Sequence, residues 1–225
     1  GLWARHSEDG PLILASPDQA EIKSFEQFVR TSGHRGKLTV IGLDDPSLIG
    51  VHGALFLPDP SIGRWSHWRA SAGHASFSLV GQIHTLSTPV SMTHIESLVT
   101  EPVHPWDALI CSSNAGKSVV EAVLNDREEK LLRRFNIHKD YTVPRLELPV
   151  IPLPIDTKKI QTGLPSRDLA RKELGITKDS HVVLWLGRLS MLTKADPWPT
   201  YRVLEIASRQ LDRPLVLLEC GPDDT

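Results

Sequence analysis

The chain has 225 residues, 40% of them hydrophobic and 23% charged, with a formal net charge of −2 and a pI of about 6.6. These proportions are those of a globular protein and exclude a disordered chain or a fibre. A near-neutral balance with no basic run leaves no electrostatic footprint for nucleic acid. The longest apolar runs, Val182 to Leu186 and Leu215 to Leu218, are far too short to span a bilayer.

Short apolar runs alternate with longer amphipathic ones. Leu12 to Ala15 reads as a strand, and Asp18 to Arg30 as a helix with Ile22, Phe25, Phe28 and Val29 on one face. Asp18 is the expected N-cap and Gly33 the expected stop. Strands are predicted at Lys37 to Ile41, Ala54 to Leu57, Ser78 to Ile83 and Ala108 to Cys111, and a long helix over Asn114 to Leu132. Tyr141 to Ile155 carries prolines at 144, 149, 152 and 154, so it is expected to be extended and stiff, a crossover between two lobes. A helix over Arg167 to Leu174, a strand over Val182 to Leu186, a helix over Thr200 to Gln210 and a strand over Leu215 to Glu219 follow.

Strands alternating with helices imply parallel sheets with βαβ crossovers. The expected class is therefore α/β, with two Rossmann-like lobes. Residues 1–150 form the first, the crossover lies near 141–156, and 157–225 begin the second. The second lobe is expected to be incomplete in this chain, because a two-stranded parallel unit cannot bury both of its faces. The first does not open with a clean strand, loop and helix, and the whole reads as a fragment of a longer protein. The opening residues Gly1 to His6 lack the pattern of a signal peptide. The two cysteines, Cys111 and Cys220, each end an apolar run and are expected to be buried free thiols, in keeping with a cytoplasmic location.

Candidate chemistry gathers at strand ends. Leu186 runs directly into Gly187 and Arg188, with Lys194 six residues on. Ligands bind at the carboxyl ends of strands in open α/β sheets. Glycine permits a tight turn there, the guanidinium can grip phosphate oxygens as a fork, and the ammonium adds a point charge. Two cations at one strand end suit a diphosphate, although two solvated loop charges would read the same way by composition alone. His84, with Thr85 and Ser87, follows another apolar strand and is placed to hydrogen-bond a sugar. Ser113 caps the predicted long helix. The triplet Gly116-Lys117-Ser118 is no P-loop, because Cys111 stands where that motif requires glycine. His74, His84, His94 and His104 recur every ten residues, a spacing unlike that of zinc ligands, and read as coincidence. Trp65 and Trp68, with Arg64, His67 and Arg69, suit packing of a surface helix on its core better than stacking on sugar rings.

Four segments together resemble the retaining glycosyltransferases of family 4, which have the GT-B fold. They are Asp107 to Ser113; Val150-Ile151-Pro152-Leu153-Pro154-Ile155-Asp156; Leu186 to Ser190 with Lys194; and Leu215 to Leu218 ahead of Gly221-Pro222. The match covers about half of the chain. It departs from the family at Pro154, where glycine is common, and in the Arg188-to-Lys194 spacing. The resemblance implies metal-independent transfer of a sugar from a nucleotide-diphosphate sugar to a sugar, lipid or protein acceptor, with no cofactor beyond that co-substrate. Relatives with lipid acceptors make peripheral contact with membranes. By this analogy Gly187, Arg188 and Lys194 hold the donor diphosphate. His84 resembles the family's catalytic-site histidine, and Thr85, Ser87 and Ser113 lie on the acceptor side. The family's pair of glutamates is expected beyond Thr225, and its glycine-rich loop has no match before Pro11, so the chain alone is expected to be inactive. The competing expectations are a non-catalytic Rossmann-like binding module and a GT-B enzyme that epimerises a nucleotide sugar.

Overall fold

The computed structural model describes residues 10–137, 145–191 and 194–222. The chain divides into two compact units, Gly1–Ile155 and Asp156–Thr225. Both are α/β with parallel strand pairing.

The first unit opens with β1 (Leu12–Ala15), α1 (Gln19–Thr31) and β2 (Leu38–Ile41). The Asp18 side chain accepts from the amide of Ala20 at 2.7 Å and from that of Glu21 at 3.4 Å, satisfying donors the helix leaves open. Ser16 Oγ donates to Glu21 Oε2 at 2.8 Å, and Gly33, at φ +89°, ends the helix. This is a clean strand, loop and helix, contrary to the expectation from sequence: three residues, Ser16 to Asp18, suffice because the cap is built into them. β1 and β2 pair in parallel, Leu12 opposite Leu38. Leu12 and Val29 are buried with Phe25 and Leu38 packed around them.

The larger sheet orders β3 (Ala54–Phe56), β4 (Ser78–Gln82) and β5 (Ala108–Ile110) side by side, all parallel. A one-turn helix, α2 (Ser47–Gly50), precedes β3, and α3 (Ile62–Ala70) and α4 (Pro89–Ser97) are the two crossovers. α5 (Asn114–Phe135) follows β5 and ends at Asn136, which takes the left-handed conformation at φ 51°. The core lies under this sheet. Ile62, Leu79, Ile95, Leu109 and Val120 are fully buried within it, each worth about 1.5–3 kcal/mol as area removed from water. Trp65 and Trp68 meet edge to face at 5.4 Å and pack on that core, as the sequence suggests for a surface helix.

The proline-rich segment carries a pairing that the sequence did not foretell. Tyr141 to Pro144 lie outside the described residues. From 146 to 151 the backbone runs parallel beside β5, with bridges from Glu147 to Ala108 and from Val150 to Cys111. The amides of Glu147 and Ile151 donate to Asp107 O at 2.8 Å and Cys111 O at 2.9 Å, and Pro149 O accepts from Cys111 N at 2.9 Å. Pro149 stands at the position between them whose amide would donate to Leu109 O, so the ladder skips one bond there and the Cys111 thiol approaches that carbonyl at 3.6 Å instead, a loss tolerated at a sheet edge. This part of the segment adds a fourth strand-like edge to the first unit before the chain passes into the second at Asp156.

The second unit holds α6 (Thr157–Gln161), α7 (Arg167–Glu173), β6 (His181–Leu186), α8 (Trp198–Ser208) and β7 (Leu215–Cys220). β6 and β7 pair in parallel from His181 opposite Leu215 to Leu186 opposite Cys220. Every hydrophobic residue that is buried among the described residues belongs to the first unit. In β6, Leu184 and Leu186 are 58% and 74% exposed. Two strands have only two faces to hide, and the described residues of this unit cover neither fully. Cys220 is exposed at the end of β7, correcting the expectation of two buried thiols, whereas Cys111 is buried. Among the described residues no helix is long and apolar enough to cross a membrane.

Candidate functional site

β6 delivers the first group of candidate residues. Its last residue is followed by Gly187 at φ +152°, a conformation side chains rarely adopt. Gly187 N donates to Cys220 O at 2.9 Å and Leu189 N to Pro222 O at 2.9 Å, so the two strand ends stay joined past the regular ladder. The approach is so close that a Cβ on Gly221 would collide with the carbonyl of Gly187. Arg188 and Lys194 are both exposed on the loop that leaves this joint. Lys194 N donates to Ser190 O at 3.0 Å, which holds the far end of the loop against its start. Two residues of this loop, Leu192 and Thr193, lie outside the described ones.

The second group stands at the carboxyl ends of β4 and β5. Gln82 is the register partner of Ile110, so the two strands finish side by side. Ile83 is buried and its amide donates to Ile110 O at 3.0 Å; His84 follows it into solvent. The hydroxyls of Thr85 and Ser87 lie 2.8 Å apart, and Ser87 N donates to Thr85 Oγ1 at 3.2 Å, a local turn that shapes the loop. Thr88 then caps α4 through the amide of Ser91 at 3.2 Å. From the neighbouring strand, Ser113 caps α5 by accepting from Gly116 N at 3.1 Å. The structure therefore brings His84, Thr85, Ser87 and Ser113 to one end of one sheet. All four side chains are exposed. Lys117, in the Gly-Lys-Ser triplet, pairs with Glu121 one turn on at 3.8 Å, as a helix-surface residue does.

Two features escaped the sequence reading. Arg69, weighed with the tryptophans as a surface cation, is fully buried. Its guanidinium forms a two-pronged pair with Asp107, Nη1 to Oδ1 at 2.5 Å and Nη2 to Oδ2 at 2.9 Å, and also donates to Phe77 O at 3.0 Å and Pro102 O at 3.2 Å. Asp107 further accepts from Leu79 N and His104 N, each at 2.8 Å. No local pattern links residues 69 and 107; only an aspartate directly before an apolar strand hinted at a special role. His67, beside Arg69 in sequence, pairs with Glu101. Second, His74 and His104, thirty residues apart in sequence, meet, Nδ1 to Nε2 at 3.4 Å. Among the described residues no group of three or more His, Cys, Asp or Glu is placed to hold a metal ion. A shallow hollow of about 450 Å³ lined by Arg30, Gly33, His34 and Arg35 surrounds the turn after α1. Arg30 is committed there to the carbonyls of His34 and Gly36.

Comparison of the chain with protein-family models, with curated proteins and with solved structures finds no match.

Proposed function

We propose that the chain binds a nucleotide-diphosphate sugar and serves glycosyl transfer, its two units being the Rossmann-like halves of a GT-B enzyme. The observation that carries this reading is the joint after β6: a glycine at φ +152°, pinned to the end of β7, followed at once by Arg188 and within one loop by Lys194. A backbone turn without a side chain lets a diphosphate approach closely, and the two cations answer its charge.

The chemistry follows from charge development. Cleavage of the bond between sugar and diphosphate leaves negative charge on the departing oxygens. A guanidinium and an ammonium already in position stabilise that charge in the transition state more than in the ground state, which lowers the barrier. His84, Thr85, Ser87 and Ser113 supply hydrogen-bonding groups for the hydroxyls of the sugar or acceptor. His84 is given the role of orienting the acceptor hydroxyl and sharing its proton.

The reading is tested by binding. Uridine, guanosine and adenosine diphosphates are titrated against the 225-residue chain while thermal unfolding is followed. One of them is expected to raise the midpoint, since a ligand at 100 times its Kd stabilises the native state by about 2.7 kcal/mol. Arg188→Ala is expected to weaken that nucleotide about tenfold to a hundredfold, the worth of a charge-assisted hydrogen bond. No response to any of the three, or an unchanged affinity in Arg188→Ala, overturns it.

A further inference from the structure

At the opposite end of the larger sheet, before β4 and β5 begin, two loops carry imidazoles that converge. Gly73, at φ +104°, turns the chain after α3, and its neighbour His74 is exposed. His104 precedes β5. Its amide donates to Asp107 Oδ2 at 2.8 Å and its carbonyl accepts from Asp107 N at 2.9 Å, so its backbone is held from both sides. The His104 ring stacks on Trp106 at 4.5 Å and 13°, which fixes its plane. Arg69 binds the loop of His74 through Phe77 O and the loop of His104 through Pro102 O and Asp107. One buried guanidinium thus sets the distance between the two histidines.

That distance has a chemical meaning. Nδ1 of His74 and Nε2 of His104 are 3.4 Å apart, with ring centroids at 5.3 Å and an interplanar angle of 78°. Two imidazole nitrogens bound to one tetrahedral ion, each at 2.0–2.1 Å, stand about 3.3–3.4 Å from each other. We propose that His74 and His104 form a two-imidazole site for a divalent transition-metal ion of the zinc or nickel type, with water in its remaining positions. The donor set excludes magnesium and calcium, which require oxygen ligands, and suits the borderline ions that imidazole prefers. The buried pair behind His104 is internally neutral, Asp107 answering Arg69. The site is preorganised, because the loops are tied together whether or not an ion is present. It lies away from the strand ends that carry His84 and Ser113 and does not depend on the glycosyl-transfer reading.

The test uses the 225-residue chain. Titration with Zn²⁺, followed by calorimetry, is expected to show a saturable site that takes one ion per chain. His74→Gln, an exposed change, is expected to weaken it about tenfold or more, since loss of even an outer-sphere partner costs that much. His104→Gln is expected to do the same, and His52→Gln, an exposed loop residue, to change nothing. Paramagnetic Ni²⁺ at substoichiometric levels supplies a reading on the unmutated chain, broadening the imidazole signals of His74 and His104 ahead of those of the other histidines. Zinc binding unaltered by His74→Gln, or broadening spread evenly over all the histidines, overturns the proposal.

Discussion

At the scale of single residues, the Arg69 and Asp107 pair is the most consequential feature of the first unit. Both side chains are fully buried, and between them they satisfy four backbone groups besides each other. Removal of one partner strands a charge in the interior. Asp107→Ala is expected to cost about 3–5 kcal/mol in denaturant unfolding, while the double replacement by Met and Leu costs much less, because no charge is left uncompensated. The two cysteines differ in a way a reagent can read. Burial pushes the Cys111 thiol above its ordinary range, and its sulfur donates to the Leu109 carbonyl at 3.6 Å within the core, whereas Cys220 is exposed. Iodoacetamide is therefore expected to alkylate Cys220 in the native chain and Cys111 only after unfolding, since the thiolate is the nucleophile and access is required. Mass spectrometry of the native and denatured samples checks this.

At the scale of elements, the sheet depends on glycine where strands and helices come closest. A Cβ on Gly81 would lie 2.7 Å from Ile62 Cγ2 and 2.9 Å from Asp59 O, the latter being backbone that cannot rotate away. Gly81→Ala is expected to destabilise the first unit by about 1–3 kcal/mol, the usual cost of overpacking, measured by denaturant midpoint. Most elements were legible because their signals are local. Asp18, Ser113 and Gly33 mark helix ends through bonds to residues two to four positions away. The edge strand at 146–151 was not legible, because its pairing with β5 is decided some forty residues away and its proline at 149 removes one of the amides a ladder would use. The candidate residues His84, Thr85, Ser87, Ser113, Gly187, Arg188 and Lys194 could be placed at strand ends from sequence. The meeting of His74 with His104 could not, since it arises from two loops that only the parallel order of β4 and β5 sets side by side.

At the scale of the whole molecule, the two units differ in how much apolar surface they conceal. Leu79 and Leu109, in β4 and β5, are fully buried, while β6 and β7 contain no buried residue. Protection of backbone amides follows the free energy of local opening, which rises with buried apolar contact. Amides of β4 and β5 are therefore expected to exchange with solvent far more slowly than those of β6 and β7 in the isolated chain, as read by hydrogen–deuterium exchange. Equal protection in both units would show that β6 and β7 are stabilised by something other than burial.

Sequence alone determined the alternation of strand and helix, the parallel class that follows from it, and the positions of cap and turn residues. These depend on hydrophobic period and on hydrogen bonds between near neighbours. Tertiary structure alone decided that Arg69 is a buried clasp rather than a surface cation, that the proline segment adds an edge to a sheet, that Cys220 is open, and that two distant histidines meet. Each of these depends on which loops and strands lie side by side, and that is settled by long-range packing whose cost and reward no local window contains.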